Sequence, residues 1–379
     1  MNKQDWTYKK LGEVATFING YPFKPTDWKN SGRKIIRIQN LNNPNATYNF
    51  YDGSIDPKYL VSNGDVLISW SGSLGVFEWS EDEAILNQHI FKVVFNKGHI
   101  NKKFFEYVVA SRINEMKSKV HGVTMQHITK KEFDVILIPV PPIAEQERIV
   151  AELDLLSGII EKKKEQLKAY DQLAQSIFYT MFGDPIDNPK GWEVKKMEDC
   201  FIIGSGGTPS KAVPEYWEGG DIPWIGSNMC QNCIIEKTDG KFITEDGLNH
   251  SSAKMVESGT VLVALVGATI GKVALLKTNT AINQNIAFIK MKKPKSFIPE
   301  FVYYHLMGQY DEFMNIGDGK FKMANQAFIK ALSICVPPLS LQEEFAEKVE
   351  AIERQKALVQ QSIEVTQTMF DYTMDKYFG

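Results

Sequence analysis

Cysteine is scarce. There are four in 379 residues, at positions 200, 230, 233 and 335, too few and too unevenly placed for a disulfide framework. No second Cys or His pair accompanies Cys230-Gln-Asn-Cys233, so zinc is not expected there and the pair reads as packing. The six histidines show neither His-x-x-x-His nor His-Glu-x-x-His spacing, which removes the common metalloenzyme signatures. Long apolar runs are missing as well. The most apolar stretch, Val261 to Leu276, is interrupted by Gly267, Gly271 and Lys272, short of the roughly 20 residues a membrane span needs. Met1 to Lys10 contains no signal-peptide core, so a cytoplasmic protein without membrane contact is expected.

Catalytic signatures are absent in the same way. Gly267-Ala-Thr-Ile-Gly-Lys272 follows an apolar strand but has three residues between its glycines where a phosphate loop has four. Val273 then stands where such a loop needs a magnesium-binding Ser or Thr. Gly204-Ser-Gly-Gly207 lacks the third glycine and acidic partner of a dinucleotide fingerprint, and no Gly-x-Ser-x-Gly elbow occurs. No catalytic residue, metal site or cofactor is therefore assigned to this chain.

What the chain does contain is itself, twice. Ile138-Pro-Val-Pro-Pro-Ile-Ala-Glu-Gln-Glu147 returns as Ile334-Cys-Val-Pro-Pro-Leu-Ser-Leu-Gln-Glu343, and the same shift of 196 residues carries Met181-Phe-Gly183 onto Tyr377-Phe-Gly379 and Asn87-Gln88 onto Asn283-Gln284. Two long units are not a solenoid, which needs at least three short ones. The pattern divides the chain into a globular domain (1–142), a long helix (143–183), a second globular domain (184–338) and a second long helix (339–379).

From Ile149, steps of four and three reach Leu153, Leu156, Ile160, Lys163, Leu167, Tyr170, Ala174, Ile177 and Met181. From Phe345 they reach Val349, Ile352, Lys356, Val359, Ile363, Thr366, Phe370, Thr373 and Tyr377. Heptad spacing held this long is a coiled-coil seam. Pro141-Pro142 and Pro337-Pro338 open the two helices, and Gly183 and Gly379 close them. Because the second helix begins where the second domain ends, pairing the seams requires an antiparallel arrangement. The threonines under-fill the second seam, and Tyr170, Ile177, Phe178, Phe370 and Tyr372 offer apolar surface for partner helices.

Inside the globular segments the period shortens. Val66 to Trp70 and Val261 to Leu265 each follow a glycine and run into a glycine turn, Ile90 to Phe95 and Ile286 to Met291 supply the next strands, and helical patches follow. The fold class expected is α+β, one such domain used two times, with the paired helices between and approximate twofold symmetry. The net charge of −3 conceals a division, since the helical segments 144–183 and 340–379 sum to −6 and the rest to +3. That balance permits nucleic-acid binding without indicating it.

Several loops hold groups suited to phosphates and base edges. The first copy offers Arg33, Lys34, Arg37, Gln39 and Asn40 around one strand, Ser71 and Ser73 in a glycine turn, and Thr124, Gln126 and His127 before the first Pro-Pro. In the second copy the matching regions offer Lys211, Trp224, Ser227, Asn228, Lys272, Lys320, Lys322 and Asn325.

The two Pro-Pro-x-x-x-Gln-Glu helix starts, the Phe182-Gly-Asp-Pro…Asn-Pro-Lys-Gly-Trp192 junction and the strand, glycine turn and Asn-Gln order of each domain together resemble one family over the whole chain, the DNA-specificity subunits of type I restriction-modification systems. The resemblance implies two target-recognition domains, each reading one half of a bipartite, asymmetric site in double-stranded DNA. It further implies helices that set the spacing and dock two methyltransferase subunits, with restriction subunits as further partners. S-adenosylmethionine, ATP and Mg²⁺ would then sit on those partners, and this chain would be non-catalytic. Leu11-Gly-Glu13 against Met197-Glu-Asp199, and Ile35-Ile-Arg-Ile38 against Ile222-Pro-Trp-Ile225, depart from strict repetition and suggest different half-sequences. Two other classes stay open on the residues alone: a coiled-coil adaptor presenting two ligand-binding heads, and a stand-alone enzyme, against which the missing motifs speak.

Overall fold

The structure is a computed structural model describing residues 6–43, 45–119, 129–316 and 323–379, with 114–119 described by backbone alone. By contacts the chain falls into two compact units, Met1–Lys164 with Gln361–Gly379, and Glu165–Gln360. Each unit thus takes half of each long helix.

In the first unit the main sheet orders Thr16–Asn19, Ile90–Val94, Val66–Ser69 and Gly75–Glu78, all antiparallel. Val66–Ser69 is buried on both faces, and its alternation shows what covers each. Val66 and Ile68 join Phe104, Phe105, Ile149, Leu153, Tyr377 and Phe378, on the helical side. Leu67 faces Ile36, Val61 and Leu86, from a second sheet of Asn49–Tyr51, Arg33–Ile36, Ala84–Leu86 and Leu60–Val61. In that sheet Arg33–Ile36 and Ala84–Leu86 run parallel. A small ribbon, Thr7–Lys10 with Leu137–Val140, completes the unit.

The second unit repeats the plan. Its main sheet orders Phe201–Ser205, Ile286–Met291, Val261–Ala264 and Val273–Leu276, and gains a fifth, parallel strand, Cys233–Ile235. The second sheet pairs Ile222–Ile225 parallel to Thr280–Ile282. Gly64 and Gly259, the glycines before the matching central strands, both hold positive φ, at 86° and 85°, a conformation that favours glycine. One correspondence moves. Ile36 pairs with Leu86 as Ile225 pairs with Ile282, so Arg33–Ile36 rather than Ile35 to Ile38 is the counterpart of Ile222–Ile225.

The long helices span Ile143–Phe182 and Leu339–Phe378, 40 residues each. At 1.5 Å per residue each is about 60 Å long. They run antiparallel within each unit. In the first, Arg148 donates to the Tyr377 hydroxyl at 3.2 Å and Lys163 to the Thr366 hydroxyl at 3.3 Å. In the second, Lys356 pairs with Asp171 at 2.7 Å, and the Phe182 and Phe345 rings lie 5.4 Å apart. All twenty seam positions are buried or half-buried. The buried Thr366 and Thr373 direct their hydroxyls to the carbonyls of Ser362 and Met369 one turn back, so they leave no polar group unsatisfied.

The repeated Pro-Pro-x-x-x-Gln has a structural cause. Gln146 is 1% exposed; its amide donates to the Pro141 carbonyl at 2.8 Å and accepts from the Asn101 N–H at 2.8 Å. Gln342, also 1% exposed, does the same with the Pro337 carbonyl and the Ile298 N–H, both at 3.0 Å. One side chain ties the start of each long helix to the start of a globular helix, Lys102–Lys119 or Pro299–Gly308.

Phe178 corrects an expectation. It is not surface offered to a partner helix: it is 1% exposed, enclosed by Phe182, Phe301, Tyr304 and Phe345 within its own unit. Ile177 and Tyr170 are half-buried against the same core, and Phe370 is half-buried in the first unit against Tyr107, ring centroids 6.1 Å apart. Of the five helix candidates, only Tyr372 stands well into solvent, at 71% exposure.

His305 is buried in the second unit with a ring nitrogen 3.1 Å from the Ser333 carbonyl, and burial pushes its pKa down to about 4 from 6.5. The unfolded chain therefore binds a proton below pH 6.5 that the folded chain refuses until about pH 4. Stability from this group is present above pH 6.5 and falls as pH drops towards 4, by at most about 3 kcal/mol. Urea unfolding followed at pH 7.5 and pH 5 should show that loss, and His305→Phe should reduce it. An equal loss in the variant would assign the acid sensitivity to other groups.

Candidate nucleic-acid interface

In the first unit the sheets place several loops at one end. The chain leaves Arg33–Ile36 through Arg37 into the short helix Ile38–Asn42, and leaves Ala84–Leu86 through Asn87-Gln88 to enter the main sheet. These exits touch: the Asn87 N–H donates to the Ile36 carbonyl at 3.2 Å, Tyr21 to Leu86 at 2.7 Å and Gln88 to Tyr21 at 2.9 Å. The turn after Val66–Ser69 joins them, because Trp70 N–H donates to the His89 carbonyl at 3.1 Å and the Ser73 hydroxyl reaches Asn42 Oδ1 at 3.4 Å.

Arg37, Gln39, Asn40, Ser71 and Ser73 are thus gathered, but in different states. Arg33 pairs with Glu83 at 3.2 Å, and Lys34 pairs with Glu81 at 2.6 Å while lying 4.8 Å over the Tyr48 ring. Tyr48 also donates to Glu81, and burial with that carboxylate pushes its hydroxyl pKa up to about 12. Asn40 is 7% exposed and engaged in the loop, accepting from the Arg37 N–H and donating to the Ala46 and Thr47 carbonyls. Gln39 and Ser73 are exposed, and Ser71 is half-buried.

The second unit builds the equivalent end. Gly207 N–H donates to the Ile282 carbonyl at 3.0 Å, Asn283 N–H to Ile225 at 3.1 Å and Leu265 N–H to Asn285 at 2.8 Å. Ser227 and Asn228 lie in the turn after Ile222–Ile225, with Asn228 exposed. Lys272 donates to Gln231 Oε1 at 2.7 Å, and the exposed Asn325 caps the helix Gln326–Ala331 through the Phe328 N–H at 2.9 Å. Lys211 is exposed on the loop that follows Gly207. Trp224 is turned inward, 7% exposed, with its indole N–H on the Gly207 carbonyl at 3.0 Å, so it packs the core instead of facing a ligand. Thr124, Gln126, His127, Lys320 and Lys322 lie outside the described residues.

Three side chains at these ends were not singled out from sequence: Gln88, Gln231 and Gln284, the last accepting from Thr208 at 2.6 Å. The repeated Asn-Gln pair was the available signal for two of them.

Among the described residues no cluster of three or more His, Cys, Asp or Glu is arranged to hold a metal. Burial pushes the Cys230 thiol up to about 12, away from the reactive thiolate. A groove of about 1000 Å³ in the second unit, beside Cys233 and the long helices, contains Lys237, Lys277, Arg354 and Lys356. Lys277, Arg354 and Lys356 pair with Glu300, Glu350 and Asp171, and with Glu236 and Glu353 the lining carboxylates, five against four cations, leave the groove without a net positive field. No helix among the described residues is long and apolar enough to cross a membrane.

The type I restriction modification DNA specificity domain matches this chain twice, over residues 3–169 and 189–367. The chain therefore belongs to the type I restriction-modification DNA specificity family, whose members are non-catalytic recognition subunits. It is 24% identical to the EcoBI specificity subunit of Escherichia coli, over 92% of this chain and 79% of that one. It is 24% identical to the MjaVIII specificity subunit of Methanocaldococcus jannaschii, over 92% and 86%. The S subunit of a type I system from M. genitalium shares the fold, with a TM-score of 0.52 over 99% of this chain and 96% of that one at 14% identity.

Proposed function

We propose that this chain directs a type I restriction-modification complex to a bipartite, asymmetric site in double-stranded DNA, each unit reading one half through its loop end. The observation that carries this is the twofold construction of that end: the same strand exits and the same Asn-Gln crossover, furnished with different side chains. Arg, Asn, Gln, Ser and Lys side chains suit base edges and phosphates. The two long helices set the half-site spacing and dock two methyltransferase subunits, and restriction subunits complete the complex. S-adenosylmethionine, ATP and Mg²⁺ belong to those partners, and the assembly works in the cytoplasm. Co-expression with a methyltransferase subunit followed by mapping of methylated adenines tests the reading. One bipartite motif is expected; methylation by the chain alone, or no motif, would overturn it.

Docking has a candidate surface in the first unit. Val365, Met369 and Tyr372 recur at helical spacing on one face and are 56%, 54% and 71% exposed. Replacing all three by serine should change stability by under about 0.5 kcal/mol per site, as exposed positions do. Capture of the methyltransferase subunit in a pull-down should fall at least roughly tenfold, since apolar anchors dominate interfaces. Undiminished capture would place docking on another face.

A further inference from the structure

We infer that Arg37 reads a guanine in the half-site of the first unit, and that the second unit reads no base in this way. The inference rests on the DNA-reading role proposed above and specifies one contact within it.

Arg33, Lys34 and Arg37 lie on and just after one strand near the loop end of the first unit, and their partners separate them. Arg33 and Lys34 face Glu83 and Glu81, so each positive charge is offset by a carboxylate that a DNA phosphate would have to displace. Arg37 faces no carboxylate among the described residues. Its Nη1 donates to Asn49 Oδ1 at 3.0 Å, and its guanidinium carbon lies 4.9 Å from the Trp28 ring centroid. Both partners are neutral, so the full charge is retained. The Arg37 backbone N–H is fixed as well, at 3.1 Å from Asn40 Oδ1, and Asn40 is tied to the Ala46 and Thr47 carbonyls.

The guanidinium is therefore held from one edge and one face. One of its five N–H groups is used; the planar fork keeps the others, and paired parallel donors match guanine O6 and N7. Ordering the side chain before DNA arrives removes an entropy cost from binding. The place suits the role too, since Ile36, the residue before Arg37, accepts the Asn87 N–H of the crossover.

At the matching position the second unit has no such group. Register equates Ile225 with Ile36 and so Gly226 with Arg37. A Cβ on Gly226 would come within 2.8 Å of Asn228 Oδ1 and 3.5 Å of Asn283 Nδ2, so the amides of this turn occupy the space a side chain would need. The two halves of the recognised sequence should differ at this position.

The test uses the full chain co-expressed with its methyltransferase subunit, comparing methylated motifs for wild type, Arg37→Gln and Arg33→Gln. Wild type should show a fixed guanine in the half assigned to the first unit. Arg37→Gln should lose that guanine, admitting other bases or adenine, and methylate the original site roughly ten- to a hundredfold less. Arg33→Gln, which breaks only an exposed ion pair, should leave the motif unchanged. An Arg37→Gln complex that keeps the guanine while methylation falls evenly across sequences would make Arg37 a phosphate contact and overturn the inference. If Arg37→Gln fails to assemble, the wild-type motif decides, because a first-unit half without guanine also overturns it. Failure of the underlying role looks different: wild type itself would yield no bipartite motif.

Discussion

Phe178→Ala is expected to lower the stability of the second unit by about 3 to 5 kcal/mol, the range for removing a buried phenylalanine. Phe178 is 1% exposed, with ring centroids of Phe182, Phe345, Phe301 and Tyr304 at 5.2, 5.6, 5.8 and 6.1 Å. These come from both long helices and from the globular helix Pro299–Gly308, so one cavity weakens three contacts at once. Aromatic pairs add about 0.5 to 1.5 kcal/mol beyond area burial, and their loss accompanies the cavity. Urea unfolding at neutral pH measures the effect, with Tyr372→Ala, at 71% exposure, as the comparison expected within about 0.5 kcal/mol of wild type. A Phe178→Ala loss below about 1 kcal/mol would mean that the site collapses freely and the aromatic cluster does not bind helix to globular core.

Phe178 also marks where sequence reasoning stops. The heptad steps identified the seam from Ile149 to Met181 and from Phe345 to Tyr377 correctly, because periodicity is a local property written into each helix. They are silent about a second buried line, Phe178 and Phe182, which faces the globular core and has no period of its own over so few turns. Apolar residues beside the seam therefore read as spare surface. The same limit explains Trp224 and Asn40. An indole and an amide beside a strand look like base readers, but the Gly207 carbonyl that takes the indole proton is 17 residues away, and Asn40 is filled by its own loop. Duplication fared better. Proline, glycine and the Asn-Gln pair recur at fixed spacing, and each marks the same place in both units. Why Gln146 recurs as Gln342 needed the fold, since its partner Asn101 lies 45 residues upstream.

The charge division follows the same line. Arg33, Lys34 and Arg37 stand together in the sequence as candidates, and the strand Ala84–Leu86, running parallel to Arg33–Ile36 after a loop that carries Glu81 and Glu83, separates the two neutralised side chains from the third. A basic cluster in a sequence is a list of candidates. The acidic residues that the fold brings opposite decide which of them keeps a field at the surface.

Exchanging the first globular domain for that of a relative should rewrite one half of the methylated motif completely and leave the other half intact. The compact unit sets the condition for success, because that domain packs on the first part of one long helix and the last part of the other. Asn101 holds Gln146, Tyr107 donates to Asp154 at 2.6 Å, and the Phe104 ring lies 5.5 Å from Phe378. An exchange of residues 1–140 that retains Asn101, Phe104 and Tyr107 keeps these three contacts with the helices and brings in foreign loops. Base contacts specify sequence and the helix contacts do not, so the new half-site should be the donor's while the second half stays as in the parent. Mapping methylated adenines in cells carrying the chimera and the methyltransferase reads the outcome directly. A motif altered in both halves would show that the units do not read independently. An unaltered motif in an assembled, active complex would show that the first unit reads no bases at all.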